Sequence, residues 1–393
     1  MSSQDVFVIE AARTAIGTFG GALKDVELAD LATTPIKGVI ERSGIDPAAI
    51  GHVVMGNVIP TVPRDAYLSR VAAMNAGIPK DASAFNVNRL CGSGLQAIVS
   101  AAQAVMLGDV QLAIGAGAEA MSRGPYMMPA ARWGGRMGNM QALDYVLGVL
   151  HDPFHSVHMG ITAENVAAHS GISRETQDEF AVEEQRRASL AIMEGRFVSQ
   201  IIPVELRTRK GVELFSVDEH PRESTAEQLA KMKAAFKSDG TVTAGNASGL
   251  NDGAAALLLA SAQAVGDQGL KPLARIVAYA HAGVEPELMG LGPVPATRLA
   301  LKRAGLAIDD LDVIEANVAF AAQACAVMKE LQMDPAKVNP NGSGIALGHP
   351  IGATGAIIAT KLIHELHRTQ GRYGLATMCI GGGQGIAVIF ERV

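Results

Sequence analysis

Only three cysteines occur in 393 residues, at positions 91, 325 and 379, too few for a disulfide scaffold and without the paired spacing of a structural zinc site. A reducing compartment fits that scarcity. No basic N-terminal segment precedes an apolar run, and no apolar stretch nears the roughly 18 to 20 residues of a membrane span, so a soluble, cytoplasmic chain is expected. Excess basic charge is missing too. The formal charge of -6 argues against general nucleic-acid binding, and the local cluster Arg207, Arg209 and Lys210 reads as a solvated loop face. No His/Asp/Glu cluster has ligand spacing, so no metal is expected. Aromatics make up only 4% while glycines number 43, which points to tight turns and close helix-sheet packing in an α/β protein.

What is present is a long core-forming chain with 48% hydrophobic residues, enough for about two or three domains. Residues 6–12, 52–57, 84–88 and 112–117 read as strands, with helices over 28–41 and after Cys91. This alternation predicts crossover units and a mostly parallel sheet covered on both faces. From 119 to 249 the chain is richer in Met, Pro, His and charge, with one polar helix near 173–194 that Ser173 caps. That stretch reads as an insertion.

Past it comes a strand at 254–260, and then the opening pattern restarts: strand at 273–281, helix at 295–304, strand at 312–317. Arg42-Ser43-Gly44-Ile45 before Val53-Val54 matches Arg303-Ala304-Gly305-Leu306 before Val313-Ile314. Asn86-Val87-Asn88 matches Asn339-Pro340-Asn341, and 113–117 matches 379–383. This duplication predicts an N-terminal half at 1–118 and 250–271, an inserted domain at 119–249 and a C-terminal half at 272–393. Loops of both halves then face one cleft.

Three residues stand at turns of that cleft. Cys91 lies beside the first turn of a helix opened by Gly92-Ser93-Gly94, where the helix dipole favours a thiolate, although an isolated cysteine is more often buried and structural. His349, between Gly348 and Pro350, is held at a turn rather than inside a helix. With Cys91 it makes a nucleophile and base pair. Cys379 supplies a second thiol, whose ordinary pKa of roughly 8.5 suits proton transfer at carbon, and the glycines after it leave amides free for an oxyanion.

The motifs Asn88-Arg89-Leu90-Cys91-Gly92-Ser93-Gly94, Gly245-Asn246-Ala247-Ser248-Gly249, Asn339-Pro340-Asn341-Gly342, Gly348-His349-Pro350 and Cys379-Ile380-Gly381-Gly382-Gly383 together resemble the thiolase family over essentially the whole chain. The resemblance implies a thiolase-like α/β fold of two duplicated halves, each with a central sheet and helices on both faces, and an inserted loop domain that holds coenzyme A. It also implies a homotetramer and reversible thiolysis of 3-ketoacyl-CoA to acyl-CoA and acetyl-CoA on short chains. Coenzyme A serves as substrate and no resident cofactor is expected. By motif, Cys91 carries the acyl group, His349 activates it and Cys379 exchanges the α-carbon proton. Asn317 with His349 holds one oxyanion through a water, and the amides of Cys91 and Gly381 form the other oxyanion hole. Ser248, Arg222, His158, Met159, Ala319 and Phe320 match positions along the coenzyme A and acyl path. A ketosynthase would need a histidine where Cys379 stands.

One residue departs from the pattern. Where the family reads Asn-Glu-Ala-Phe, this chain reads Asn317-Val318-Ala319-Phe320. Loss of the glutamate predicts an unpaired donor beside the chemistry and slower turnover, and it motivates the alternative of an impaired acyl-CoA-binding protein on the same fold.

Overall fold

The computed structural model describes residues 5–209 and 211–393, so Lys210 of the basic cluster lies outside them. Nine strands form the spine of one sheet: β1 (Val6–Arg13), β2 (His52–Gly56), β3 (Ser83–Val87), β4 (Leu112–Ala120), β5 (Asn251–Ser261), β6 (Ala274–Gly283), β7 (Val313–Ala316), β8 (Tyr373–Ile380) and β9 (Gln384–Arg392). Their order is β7-β8-β9-β6-β1-β5-β4-β2-β3, and the short strand Gly17–Thr18 pairs with the start of β5. The N-terminal strands meet the C-terminal ones where β1 pairs with β6, Phe7 opposite Arg275 and Val8 opposite Ala274.

The sheet is mixed, which corrects the expectation of a mostly parallel one. β2 runs parallel to β3 and β4, and β7 to β8, whereas the remaining neighbours are antiparallel. Each half closes with a returning strand. β8 reverses into β9 through Gly381-Gly382-Gly383, where φ of +80° at Gly382 and +84° at Gly383 makes a hairpin that other residues rarely allow. β4 returns as antiparallel β5 after the excursion over 121–250.

Eight helices matter here: α1 (Leu28–Ser43), α2 (Leu68–Asn75), α3 (Ser93–Met106), α4 (Met159–Ser170), α5 (Arg174–Met193), α6 (Pro293–Ala304), α7 (Ala321–Leu331) and α8 (Thr354–Thr369). Ser173 caps α5 by accepting from the Thr176 amide. Strand alternation sorts the packing. In β5, Leu257 and Leu259 pack toward α3 and α8, while Leu258 and Ala256 pack toward α1 and α2. In the C-terminal half, Ile386 and Val388 face α3 and α8, while Ala387 and Ile389 face α6 and α7. The one sheet thus folds around α3 and α8, and each of its two halves is covered on the outside by a further layer of helices.

The duplication is visible in the backbone. α1 and α6 both end at a left-handed glycine, Gly44 and Gly305, each with φ of 68°. The same sequence spacing relates the starts of α3 and α8, which touch backbone to backbone. A Cβ on Gly94 would come within 2.6 Å of Ala356 N, and one on Gly355 within 2.2 Å of Leu95 N, so the contact is reciprocal. Faces then fix the strand alignment. Val53 and Ile314 both point to the outer helix layers, so Ile314, not Val313, is the counterpart of Val53. A one-residue slip would exchange faces. The match of 113–117 with 379–383 is also out of step: the strand registers make 374–378 its counterpart, so that Ala118 corresponds to Cys379 and Glu119 to Ile380.

Candidate active site

Where the two halves and the insertion meet, an apolar cavity of about 260 Å3 opens. Its walls bring together Cys91, His349, Cys379 and Gly381 with Ser248, His158, Met159, Ala319 and Phe320. Asn317 and Arg222 are not on that wall. Asn317 is buried at the end of β7, and among the described residues neither of its side-chain amide atoms has a protein partner. Arg222 is exposed outside the cavity, its guanidinium donating to Ala244 O at 3.2 Å.

Cys91 sits on a strained turn. Leu90 adopts φ of +46°, a conformation that costs a bulky residue on the order of 1 to 3 kcal/mol. Ser93 braces it by donating from Oγ to Leu90 O at 2.6 Å and accepting from the Arg89 amide at 2.8 Å. Asn88 Oδ1 accepts from the Leu90 amide at 3.0 Å. The helix start does not yield a ready thiolate, contrary to expectation. Burial pushes the Cys91 thiol up to about 11, and the amides of Gly381 and Cys91, which converge on the sulfur, only partly oppose it. The charge of Glu119 raises it further.

The tautomer of His349 follows from its hydrogen bonds. Thr354 Oγ1 lies 2.6 Å from His349 Nδ1 and 2.9 Å from Pro350 O. A carbonyl only accepts, so the hydroxyl proton goes to Pro350 and Nδ1–H donates to Thr354. Nε2 is left as a bare lone pair, buried and without a partner among the described residues. Burial pushes His349 down to about 4, so it is neutral near pH 7 and free to take a proton. Cys379 is also shifted. Burial and the neighbouring Cys91 raise its thiol well above the ordinary range, so it rests protonated as a proton donor.

The other walls are polar at few points. His158 Nδ1 accepts from the Gly160 amide at 3.0 Å and thereby caps α4, and its ring stacks on Phe236 at 4.6 Å. Its proton is therefore on Nε2. Ser248 is fixed by its amide donating to Ala319 O at 2.9 Å. Met159 backs Gly381 so closely that a Cβ there would lie 3.0 Å from Met159 Cε.

Val318 does not face the chemistry. Its side chain is fully buried in an apolar cluster with Ala181 of α5, Ala321 and Ala324 of α7, and Ile345. The donor left without a partner among the described residues is the neighbouring Asn317 amide, while Val318 itself packs away from the cavity wall.

Sequence reasoning missed four supporting residues. Ser93 and Thr354 brace the Cys91 and His349 turns, Asn251 Oδ1 accepts from the His349 amide at 2.9 Å, and Glu119 accepts from four donors beneath the cavity. Ser93 and Thr354 were within reach, because each is the first residue of the helix that follows the Cys91 or the His349 turn.

Comparison with known proteins agrees with this geometry. Residues 6–263 match the N-terminal domain of thiolase and residues 270–392 its C-terminal domain. The chain is 61% identical over 393 residues to beta-ketothiolase BktB of Cupriavidus necator, covering 100% of both chains. It is 49% identical to an acetyl-CoA acetyltransferase of Pseudomonas aeruginosa, covering 99% of this chain and 100% of that one. Human mitochondrial 3-ketoacyl-CoA thiolase superposes with a TM-score of 0.97 at 43% identity and full coverage of both chains. A second structure of that human enzyme, in complex with CoA, gives 0.97 at 42% identity, covering 100% of this chain and 99% of that one. The fold, the cavity and these matches agree: the chain belongs to the thiolase family of acyltransferases.

Proposed function

We propose that the chain cleaves 3-ketoacyl-CoA with coenzyme A, reversibly, through an acyl group carried on Cys91. The observation behind this reading is that Cys91, His349, Cys379 and Gly381 share one cavity. His349 Nε2 takes the Cys91 proton as the sulfur adds to the 3-keto carbon, a concerted transfer suited to a thiol held up to about 11. The amides of Cys91 and Gly381 meet one oxyanion, and Asn317 with His349 holds the other through a water. When the carbon-carbon bond breaks, Cys379 protonates the departing acetyl-CoA enolate. Coenzyme A then gives its proton to the Cys379 thiolate and attacks the acyl group, and Cys91 leaves with the proton stored on His349. Protons and bonds balance over the cycle.

Ser248, His158, Met159, Ala319 and Phe320 line the acyl and pantetheine path, with Arg222 outside it toward the phosphates. A cavity of about 260 Å3 supports short acyl chains. The insertion over 119–249 is then the coenzyme A domain between the halves at 1–118 with 250–271 and at 272–393. A homotetramer is supported by exposed Trp133, Met137 and Tyr126 in the insertion and by the uncovered edge of β3 with exposed Phe85. Among the described residues no helix is long and apolar enough to cross a membrane, which agrees with a cytoplasmic enzyme of fatty acid metabolism. The impaired acyl-CoA-binding alternative rested on Val318, which packs away from the cavity.

The discriminating experiment is Cys379→Ser. Cleavage of acetoacetyl-CoA is expected to fall by about two to four powers of ten, the usual contribution of an acid-base group. Acetylation of Cys91 by acetyl-CoA should fall far less. Equal losses in both steps contradict the division of labour, and a panel of substrates from four to ten carbons reads the chain-length preference.

A further inference from the structure

His349 is held from outside its own loop by an asparagine of β5, which a histidine of the insertion holds in turn. The His349 amide donates to Asn251 Oδ1 at 2.9 Å, and Asn251 Nδ2 reaches Gly17 O at 3.0 Å and His220 Nδ1 at 3.3 Å. With Oδ1 committed to an N–H and one Nδ2 proton to a carbonyl, the other Nδ2 proton points to His220, whose Nδ1 must accept it. The imidazole thus grips the His349 loop through Asn251. There is no slack around it. A Cβ on Gly249 would lie 2.4 Å from His220 Cε1, and one on Gly348 2.5 Å from the Asn251 side chain. The grip needs the neutral ring, and burial followed by the charge of Arg222 favours that form against the weaker pull of Glu219.

We infer that His220 is a positioning residue that sets His349 against Cys91 through Asn251, so that a residue of the insertion completes the base of the catalytic pair. The inference rests on the role given to His349 above.

The test compares His220→Phe, which keeps the ring volume but has no ring nitrogen, with His220→Gln, whose amide offers one acceptor and one donor at similar reach. In steady-state thiolysis of acetoacetyl-CoA at pH 7, His220→Phe is expected to lower kcat by about ten- to a hundredfold, as expected for a misplaced catalytic group. KM for coenzyme A should stay within about threefold. His220→Gln should recover kcat to within about threefold of the parent at a matched melting temperature. A full kcat in His220→Phe, a rise in KM alone, or a Gln variant no better than Phe overturns the proposal. His349→Ala is the control: if it acetylates Cys91 at the parental rate, the reading of His349 fails independently of His220.

Discussion

The turn that opens α3 and the turn that opens α8 occupy equivalent places in the two halves, yet they have met opposite fates. At α8 the amide of Gly352, counterpart of Cys91, donates to Glu119 at 2.8 Å. The same carboxylate takes the Asn57 side chain at 2.8 Å and the amides of Ile59 and Val58 at 3.0 and 3.1 Å. At α3 an isoleucine, Ile380, stands in the place of Glu119, so the amides of Cys91 and Gly381 turn to the Cys91 sulfur instead. The end of β7 differs in the same way, with Asn317 left unpartnered among the described residues and Val318 where the other half has Asn57. One of two equivalent corners is filled by the protein's own carboxylate, and the other, where the Cys91 sulfur lies, is open to the cavity. Both oxygens of Glu119 face donors, which suits an ionised carboxylate although burial pushes it up to about 8.

The largest expected effect comes from removing the reactive group of the open corner. Cys91→Ala should abolish the acetyl adduct in intact-mass spectrometry with acetyl-CoA and lower thiolysis by at least about four powers of ten, as loss of a nucleophile does elsewhere. An adduct that persists, or that maps to Cys379 or Cys325, would place the chemistry on another sulfur.

Breaking the filled corner should cost stability first. Glu119→Gln keeps the shape but swaps one acceptor oxygen for a donor, leaving about two buried N–H groups unpaired at about 1 to 3 kcal/mol each. A melting temperature within a degree of the parent would mean that the corner is not held by that charge. The same variant bears on the open corner, since the Glu119 charge raises the Cys91 thiol.

A pH series sharpens the contrast further. With the thiol at about 11 and His349 at about 4, both groups are neutral between those values, so the thiolate fraction grows about tenfold per pH unit across that window. Alkylation of Cys91 by iodoacetamide should therefore climb steadily from pH 7 to 10, and faster reaction is expected in Glu119→Gln at a given pH. A plateau from pH 7 upward would reveal a preformed thiolate-imidazolium pair.

Much of this was legible in the sequence. The strands, the helix after Cys91, the long excursion and the duplication follow from periodicity and glycine punctuation, and the turns that single out Cys91, His349 and Cys379 in the sequence are brought to one cavity by the fold. The strand directions were not, because whether β4 continues parallel or returns antiparallel as β5 is decided by pairing across 130 intervening residues of insertion. Repeat register also escaped. Short matches such as Val53-Val54 with Val313-Ile314 cannot tell inward from outward faces, and matching 113–117 to 379–383 rather than to 374–378 concealed the correspondence of Glu119 with Ile380. Thiol ionisation escaped for a different reason: the helix-start argument counts the local dipole but not the desolvation imposed by distant chain.

The smallest expected effect concerns Val318, where the two halves differ by a polar and an apolar residue at one strand end. Asn57 is polar because a carboxylate waits for it, whereas Val318 meets Ala181, Ala321, Ala324 and Ile345 and has no polar duty there. Val318→Ala removes about two buried methylene equivalents, worth about 1 to 3 kcal/mol with the cavity left behind. Because the lost contacts are to α5 and α7 rather than to the cavity wall, kcat for acetoacetyl-CoA thiolysis should stay within about twofold while the melting temperature falls. The opposite pattern, an unchanged melting temperature with a tenfold loss of kcat, would mean that this strand end governs Asn317 after all. The absent glutamate would then matter for the chemistry rather than for packing.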